Sequence, residues 1–196
     1  MNSRYVARVG FVLTLVAAAT ACQGDGATAP AAAVPPVRLE VVNPAVTAGV
    51  LTRTTPLAAD STVSKTLGVL GGTITAPGGL RVVVPRFALT GTTTITVTAL
   101  KGNIVAYEFG PHGTTFRVPL EMAQDLRGTS AEGNFGAAAS EIGYFTDRSE
   151  LDYGTRQARI AEFLPIGLRV AAGTVITYQV RHFSGYVIVT GRNPTP

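Results

Sequence analysis

The chain has 196 residues, 46% of them apolar and only 14% charged, against about 25% charged in an ordinary soluble domain. Such a charge-poor composition points to a membrane protein or an extracytoplasmic β-protein, and the length allows one domain plus export and linker segments. A single Cys excludes an internal disulfide framework and a Cys-based zinc cluster, and two His leave little for a multi-His metal site; no cofactor is implied.

Residues 1–21 read as a signal peptide. Arg4 and Arg8 form a positive start, and Phe11 to Ala19 form an apolar core about half the ~20 residues that a membrane-spanning helix needs. Ala19-Thr20-Ala21 then precede Cys22. This run resembles a bacterial lipobox, with Ala19 where Leu is usual, and the lone Cys falls where the lipid-bearing residue of a lipoprotein stands. The resemblance implies a diacylglycerol thioether and acyl chains such as palmitate on Cys22. At about 0.8 kcal/mol per buried CH₂, several such chains hold a protein on a membrane almost permanently. Gln23 in place of Asp resembles the outer-membrane-sorted class. Loss of residues 1–21 removes two arginines and leaves a net charge of +2 without a basic cluster, so nucleic acid is not an expected partner.

Residues 22–62 read as a lipid-anchored flexible linker. The Ala/Pro-rich stretch 23–36 has too few large apolar residues to bury a core. Arg38–Val42 is a candidate first strand, and 43–62 returns to Pro, Thr, Ala and Gly.

From Val63 the pattern is all-β. Strands are predicted near Lys65–Val69, Gly72–Ala76, Leu80–Val84, Thr93–Ala99, Val105–Phe109 and Arg117–Met122. Others fall near Ile142–Thr146, Gln157–Phe163, Ile166–Ala171, Thr174–Val180 and Gly185–Thr190. Ile95, Val97 and Ala99 alternate with Thr, as on a half-buried strand. Arg81–Pro85 alternates less cleanly, as in a strand covered on both faces. Residues 123–140 read as a long surface loop. Many short strands with turn signals between them predict a single antiparallel β-sandwich over 63–190, followed by a tail at 191–196.

The order Gly71-Gly72-Thr73-Ile74, Leu80–Pro85, Phe87-Ala88-Leu89 and Ile95-Thr96-Val97 continues into Phe109-Gly110-Pro111-His112-Gly113-Thr114-Thr115-Phe116 and Pro119–Met122. It resembles the ZU-five domain, a β-sandwich of netrin receptors, zonula-occludens proteins and ankyrins, over residues 68–122, with a weaker continuation to 190. The resemblance implies a module that acts by contact, with a protein partner at the cell surface. The residues alone predict a tight turn at Gly110–Gly113, with Phe116 entering the core as the next strand begins and His112 bonding a loop backbone.

His182-Phe183-Ser184 resembles the self-cleavage sequence of some ZU-five-containing proteins and of adhesion receptors. In that chemistry His182 is the general base, and the Ser184 hydroxyl attacks the Phe183 carbonyl to give an ester that water hydrolyses. The Phe183–Ser184 amide must be strained for this, and Gly185 permits a sharp turn beside it. The alternative is a strand in which His182 and Ser184 hydrogen-bond while Phe183 and Tyr186 pack. Glu141, Asp147, Glu150 and Asp152, with Tyr144, Phe145 and Tyr153, are candidates for a calcium or carbohydrate surface. Their spacing matches no calcium loop, and interleaved Arg148 and Arg156 favour surface ion pairs. The sequence thus predicts a membrane-anchored extracytoplasmic binding or structural module rather than an enzyme, with self-cleavage at Phe183–Ser184 as one alternative and carbohydrate or calcium binding as another.

Overall fold

The computed structural model describes residues 46–133, 141–167, 169–170 and 174–192. The signal peptide, Cys22, the Arg38–Val42 segment and the end of the tail lie outside them. The first strands in chain order are β1 (Val46–Val50), β2 (Thr52–Leu57), β3 (Ser61–Leu67), β4 (Gly72–Ala76), β5 (Leu80–Val84) and β6 (Thr93–Ala99). Next come β7 (Gly102–Ile104), β8 (Ala106–Gly110), β9 (Thr115–Asp125) and β10 (Glu141–Phe145). A 3-10 turn, Arg148–Glu150, leads to β11 (Leu151–Asp152), β12 (Gln157–Ile160), β13 (Glu162–Pro165), β14 (Arg169–Val170), β15 (Val175–His182) and β16 (Gly185–Arg192).

These strands form two packed antiparallel sheets, the predicted all-β sandwich. A nine-stranded sheet runs β11-β12-β1-β16-β8-β6-β3, with β10 on β16 and β13 on β10. A five-stranded sheet runs β14-β15-β9-β5-β4, and β2 pairs with β7 as a separate ribbon. The main core lies between the two large sheets. Ile74, Val82, Leu120, Met122 and Ile176 from one meet Ile95, Val97, Phe109, Tyr186 and Ile188 from the other. A second cluster, including Val50, Ile104, Phe145, Ile160, Val187 and Val189, covers the opposite face of the nine-stranded sheet. β16 is therefore buried on both faces, its alternate residues serving different cores.

Strand chemistry explains the low charge. Ile95, Val97 and Ala99 are fully buried, while the other face of β6 carries threonines. Thr62 and Thr98, and Thr66 and Thr94, hydrogen-bond across the β3–β6 pair at 2.8 Å each. Threonine supplies β-propensity and polarity without a net charge. Phe116 enters the core at the start of β9, as the turn chemistry predicts.

Several expectations are corrected. The sheet begins at Val46 rather than Val63: β1 pairs with β12 and β16, so residues 46–62 belong to the sandwich and not to the linker. Their Thr, Ala and Gly composition suits short strands as well as a tether. β5 is covered mainly on one face, with Arg81 exposed and Leu80, Val82 and Val84 buried. Residues 123–125 continue β9, and Gln124 is fully buried rather than in a surface loop; residues 134–140 lie outside the description. The expected Gln157–Phe163 strand is two strands, and β16 extends to Arg192, past the expected start of the tail.

Candidate functional site

The acidic residues near 141–152 each have a local partner. Glu141 accepts two hydrogen bonds from Arg192, at 2.7 and 2.5 Å. Asp147 caps the 3-10 turn by accepting from the Ser149 N–H at 2.8 Å, and Glu150 closes the box by accepting from the Asp147 N–H at 3.4 Å, besides the Thr146 N–H at 2.8 Å. Asp152 accepts from the N–H groups of Gly154 and Thr155. These hydrogen bonds hold the Asp147 and Asp152 carboxyls below the usual aspartate range. Arg148 bonds Glu108 at 2.6 and 2.5 Å and Asp60 at 2.7 Å, joining β8 and the β2–β3 turn to the 3-10 segment. Among the described residues, no three His, Cys, Asp or Glu side chains converge as a metal site.

The three aromatic candidates do not share a surface. Tyr144 meets the His182 ring edge-on at 5.3 Å, and Phe145 is buried in the second core. Tyr153 lies 37% exposed beside Gly102, in a shallow hollow with Pro56, Leu57 and Lys101. His112 is exposed in the turn after Gly110, and no hydrogen bond connects it to the loop backbone.

His182, Phe183 and Ser184 form the corner between β15 and β16. The His182 Nδ1 lies 3.2 Å from the Tyr186 hydroxyl, which donates to the His182 carbonyl at 2.8 Å. The Glu162 carboxylate stands 3.9 Å from the other ring nitrogen. No hydrogen bond joins the His182 ring to the Ser184 hydroxyl. The Phe183 ring is clamped between Phe109, stacked at 5.5 Å, and Phe116, edge-on at 4.7 Å. Its carbonyl accepts from the Gly113 N–H at 3.3 Å, and its N–H donates to the Thr114 carbonyl at 2.9 Å. Gly185 answers to packing: a Cβ there would stand 2.3 Å from the Phe145 ring. Burial pushes the Tyr186 phenol far above the ordinary tyrosine range, with the Glu162 charge adding to it.

A second polar corner was not visible in the sequence. Arg53, on β2, is only 8% exposed. Its Nη1 donates to the carbonyls of Leu100 and Ile104. Its Nε and Nη2 are buried without a hydrogen-bond partner, and so is the Gln124 Oε1. The guanidinium lies 5.7 Å from the centre of the Tyr107 ring. The Tyr107 hydroxyl and the Gln124 Nε2 both donate to the Gly78 carbonyl at 2.8 Å. Burial raises the Tyr107 phenol, while the Arg53 charge pulls the other way. A hollow of about 270 Å³ adjoins this corner, lined by Arg53, Thr54, Gly79, Asp125, Arg127 and Thr129 among others. An Arg inside Thr-Arg-Thr-Thr reads as a surface residue; the groups packed around it, Gly78, Leu100, Ile104 and Tyr107, are all distant in sequence. No protein-family model matches the chain, and neither does any curated protein.

Proposed function

We propose that this chain is a membrane-anchored, extracytoplasmic binding or structural β-sandwich. It is held by lipid on Cys22 and, as its ZU-five-like segments imply, works through contact with a protein partner at the cell surface. The outer membrane is the proposed site of display. The observation that carries the non-enzymatic reading is the partnering at the β15–β16 corner. The His182 ring is engaged with Tyr186, and the Ser184 hydroxyl has no base bonded to it. Phe183 is fixed by two aromatic rings, as a core residue would be. The position of the lone Cys supports the anchor.

Self-cleavage is the second reading. It is favoured by the Gly113 N–H on the Phe183 carbonyl, a donor placed where an oxyanion would develop. One mass spectrum of the membrane-extracted protein tests both. The expected result is a lipid adduct on Cys22 and an intact Phe183–Ser184 bond. An unmodified Cys22, or a Cys22→Ala chain that partitions unchanged into detergent, overturns the anchor. A chain missing everything from Ser184 onward, restored to full length by Ser184→Ala, replaces the contact reading with the autoproteolytic one.

A further inference from the structure

We propose that the Arg53 corner is a binding site for a single carboxylate group, entered when the Pro77–Gly78–Gly79 turn swings off the guanidinium. The proposal gives the binding-module reading a ligand class and rests on it. The argument begins with the part of Arg53 that has no partner. Nη1 is spent on two backbone carbonyls, whereas the unpartnered Nε and Nη2 are the parallel two-donor edge that fits a carboxylate. A guanidinium this deeply buried needs an anion or further acceptors on that edge. Among the described residues it has no ion pair. Asp125, the carboxylate that lines the hollow, is held by Arg127, with its Nε at 3.0 Å and its Nη2 at 2.5 Å. Asp60 and Glu108 are held by Arg148. The lining therefore carries one uncompensated positive charge, which matches a monoanion better than a phosphate dianion.

The lid is built from glycine. A Cβ on Gly78 would stand 2.9 Å from the Tyr107 Oη and 3.1 and 3.2 Å from Arg53 Nη2 and Nε, so the absence of that Cβ lets the turn close over the guanidinium edge beside the Tyr107 hydroxyl. Gly78 and Gly79 hold φ of 79° and 85°, a conformation that glycine can adopt and leave without steric cost. The Gly78 carbonyl is the acceptor for Tyr107 Oη and Gln124 Nε2. When the turn lifts, those two donors lose their acceptor in the place where the guanidinium edge is bared. A carboxylate entering from the hollow sets one oxygen on the Arg53 Nε and the other on Nη2, and accepts the Tyr107 and Gln124 hydrogen bonds through its remaining lone pairs.

The test is an NMR titration of the full chain, following the Arg53 Nε–H and the Gly78 and Gly79 amides. The probes are acetate, inorganic phosphate, a dipeptide with a free C-terminus and the same dipeptide amidated, all at constant ionic strength set by chloride. The expected result is a saturable shift of the Arg53 Nε–H with acetate, absent with chloride and lost in Arg53→Lys. Should Arg53→Lys fail to fold, the wild-type Arg53 resonance decides alone. Tenfold tighter binding of the free-acid dipeptide than of acetate identifies a peptide terminus as the source, and equal binding identifies a small acid; both support the carboxylate site. No Arg53 shift, the same shift in chloride, or tighter binding of phosphate overturns it. A Tyr107→Phe chain that binds acetate as tightly as the wild type overturns the exchange of acceptors. None of these outcomes touches the Cys22 mass, so the site and the anchor fail separately.

Discussion

The two polar corners of this sandwich differ in how they are completed. At the β15–β16 corner, His182 and Tyr186 hydrogen-bond each other, and Phe183 sits between two rings. At the β2 corner, Arg53 is half partnered: one nitrogen is bonded, two are not, and a glycine turn covers the gap. The first corner carries the residues that resemble a catalytic motif, yet its groups are used in holding two strands together. The second carries no motif, yet it holds the uncompensated charge. Unsatisfied buried polarity, and not a sequence motif, is what sets the second corner apart from the first.

That contrast can be broken by substitution. The largest effect is expected at the completed corner. Phe183→Ala should lower the unfolding free energy by about 3–5 kcal/mol in denaturant melts, because it empties the space between Phe109 and Phe116. A change below about 1 kcal/mol would mean that Phe183 is not a core residue. Arg53→Met should cost only about 1–2 kcal/mol. Removing a desolvated charge offsets the two carbonyls left without a donor. A cost as large as that of Phe183→Ala would erase the distinction between the corners. Tyr186→Phe should cost about 1 kcal/mol, the worth of an ordinary hydrogen bond.

The smallest effects belong to the surface. Arg148→Ala should cost less than about 1 kcal/mol and should lose most of that difference in high salt, since its bridges to Asp60 and Glu108 are half exposed. The Asp60 carboxyl is held below the ordinary aspartate value of 3.8, first by the Lys101 N–H and then by Arg148. A carboxyl lowered in the folded state stabilises the fold fully above its unfolded value, and the contribution fades as pH falls through the lower folded value. Carbon-detected titration of Arg148→Ala should therefore show Asp60 moving up yet staying below 3.8, because the Lys101 bond survives. A return to the ordinary value would assign the whole effect to Arg148.

The sheet was legible where side chains alternate or glycine punctuates. β4, β5 and β6 occupy the predicted spans, since Gly71-Gly72 and Pro77-Gly78-Gly79 mark the turns and the Val, Ile and Thr runs mark the strands. β1 and β2 have the composition of a linker, since Val-Thr-Ala-Gly-Val and Thr-Arg-Thr-Thr-Pro-Leu carry few large apolar residues. Their place is fixed by distant partners, with Val50 set against Val189 and Thr52 against Ile104, and local composition does not encode such pairings. The same non-local burial hid Arg53 and Gln124. The β15–β16 corner was the reverse case. Its residue types were legible, but the partner that the His182 ring takes is set by the corner's geometry.

β16 has a consequence for how the chain reaches this structure. It pairs along one edge with β8 and then β1, and along the other with β10. Ala48, in the first described strand, is matched to Arg192, in the last. The nine-stranded sheet therefore cannot close until nearly the whole domain has left the ribosome. Before that moment β1, β8 and β10 have open edges and no common neighbour. Such distant pairing makes folding slow and all-or-none, and it makes β16 the strand whose arrival commits the molecule.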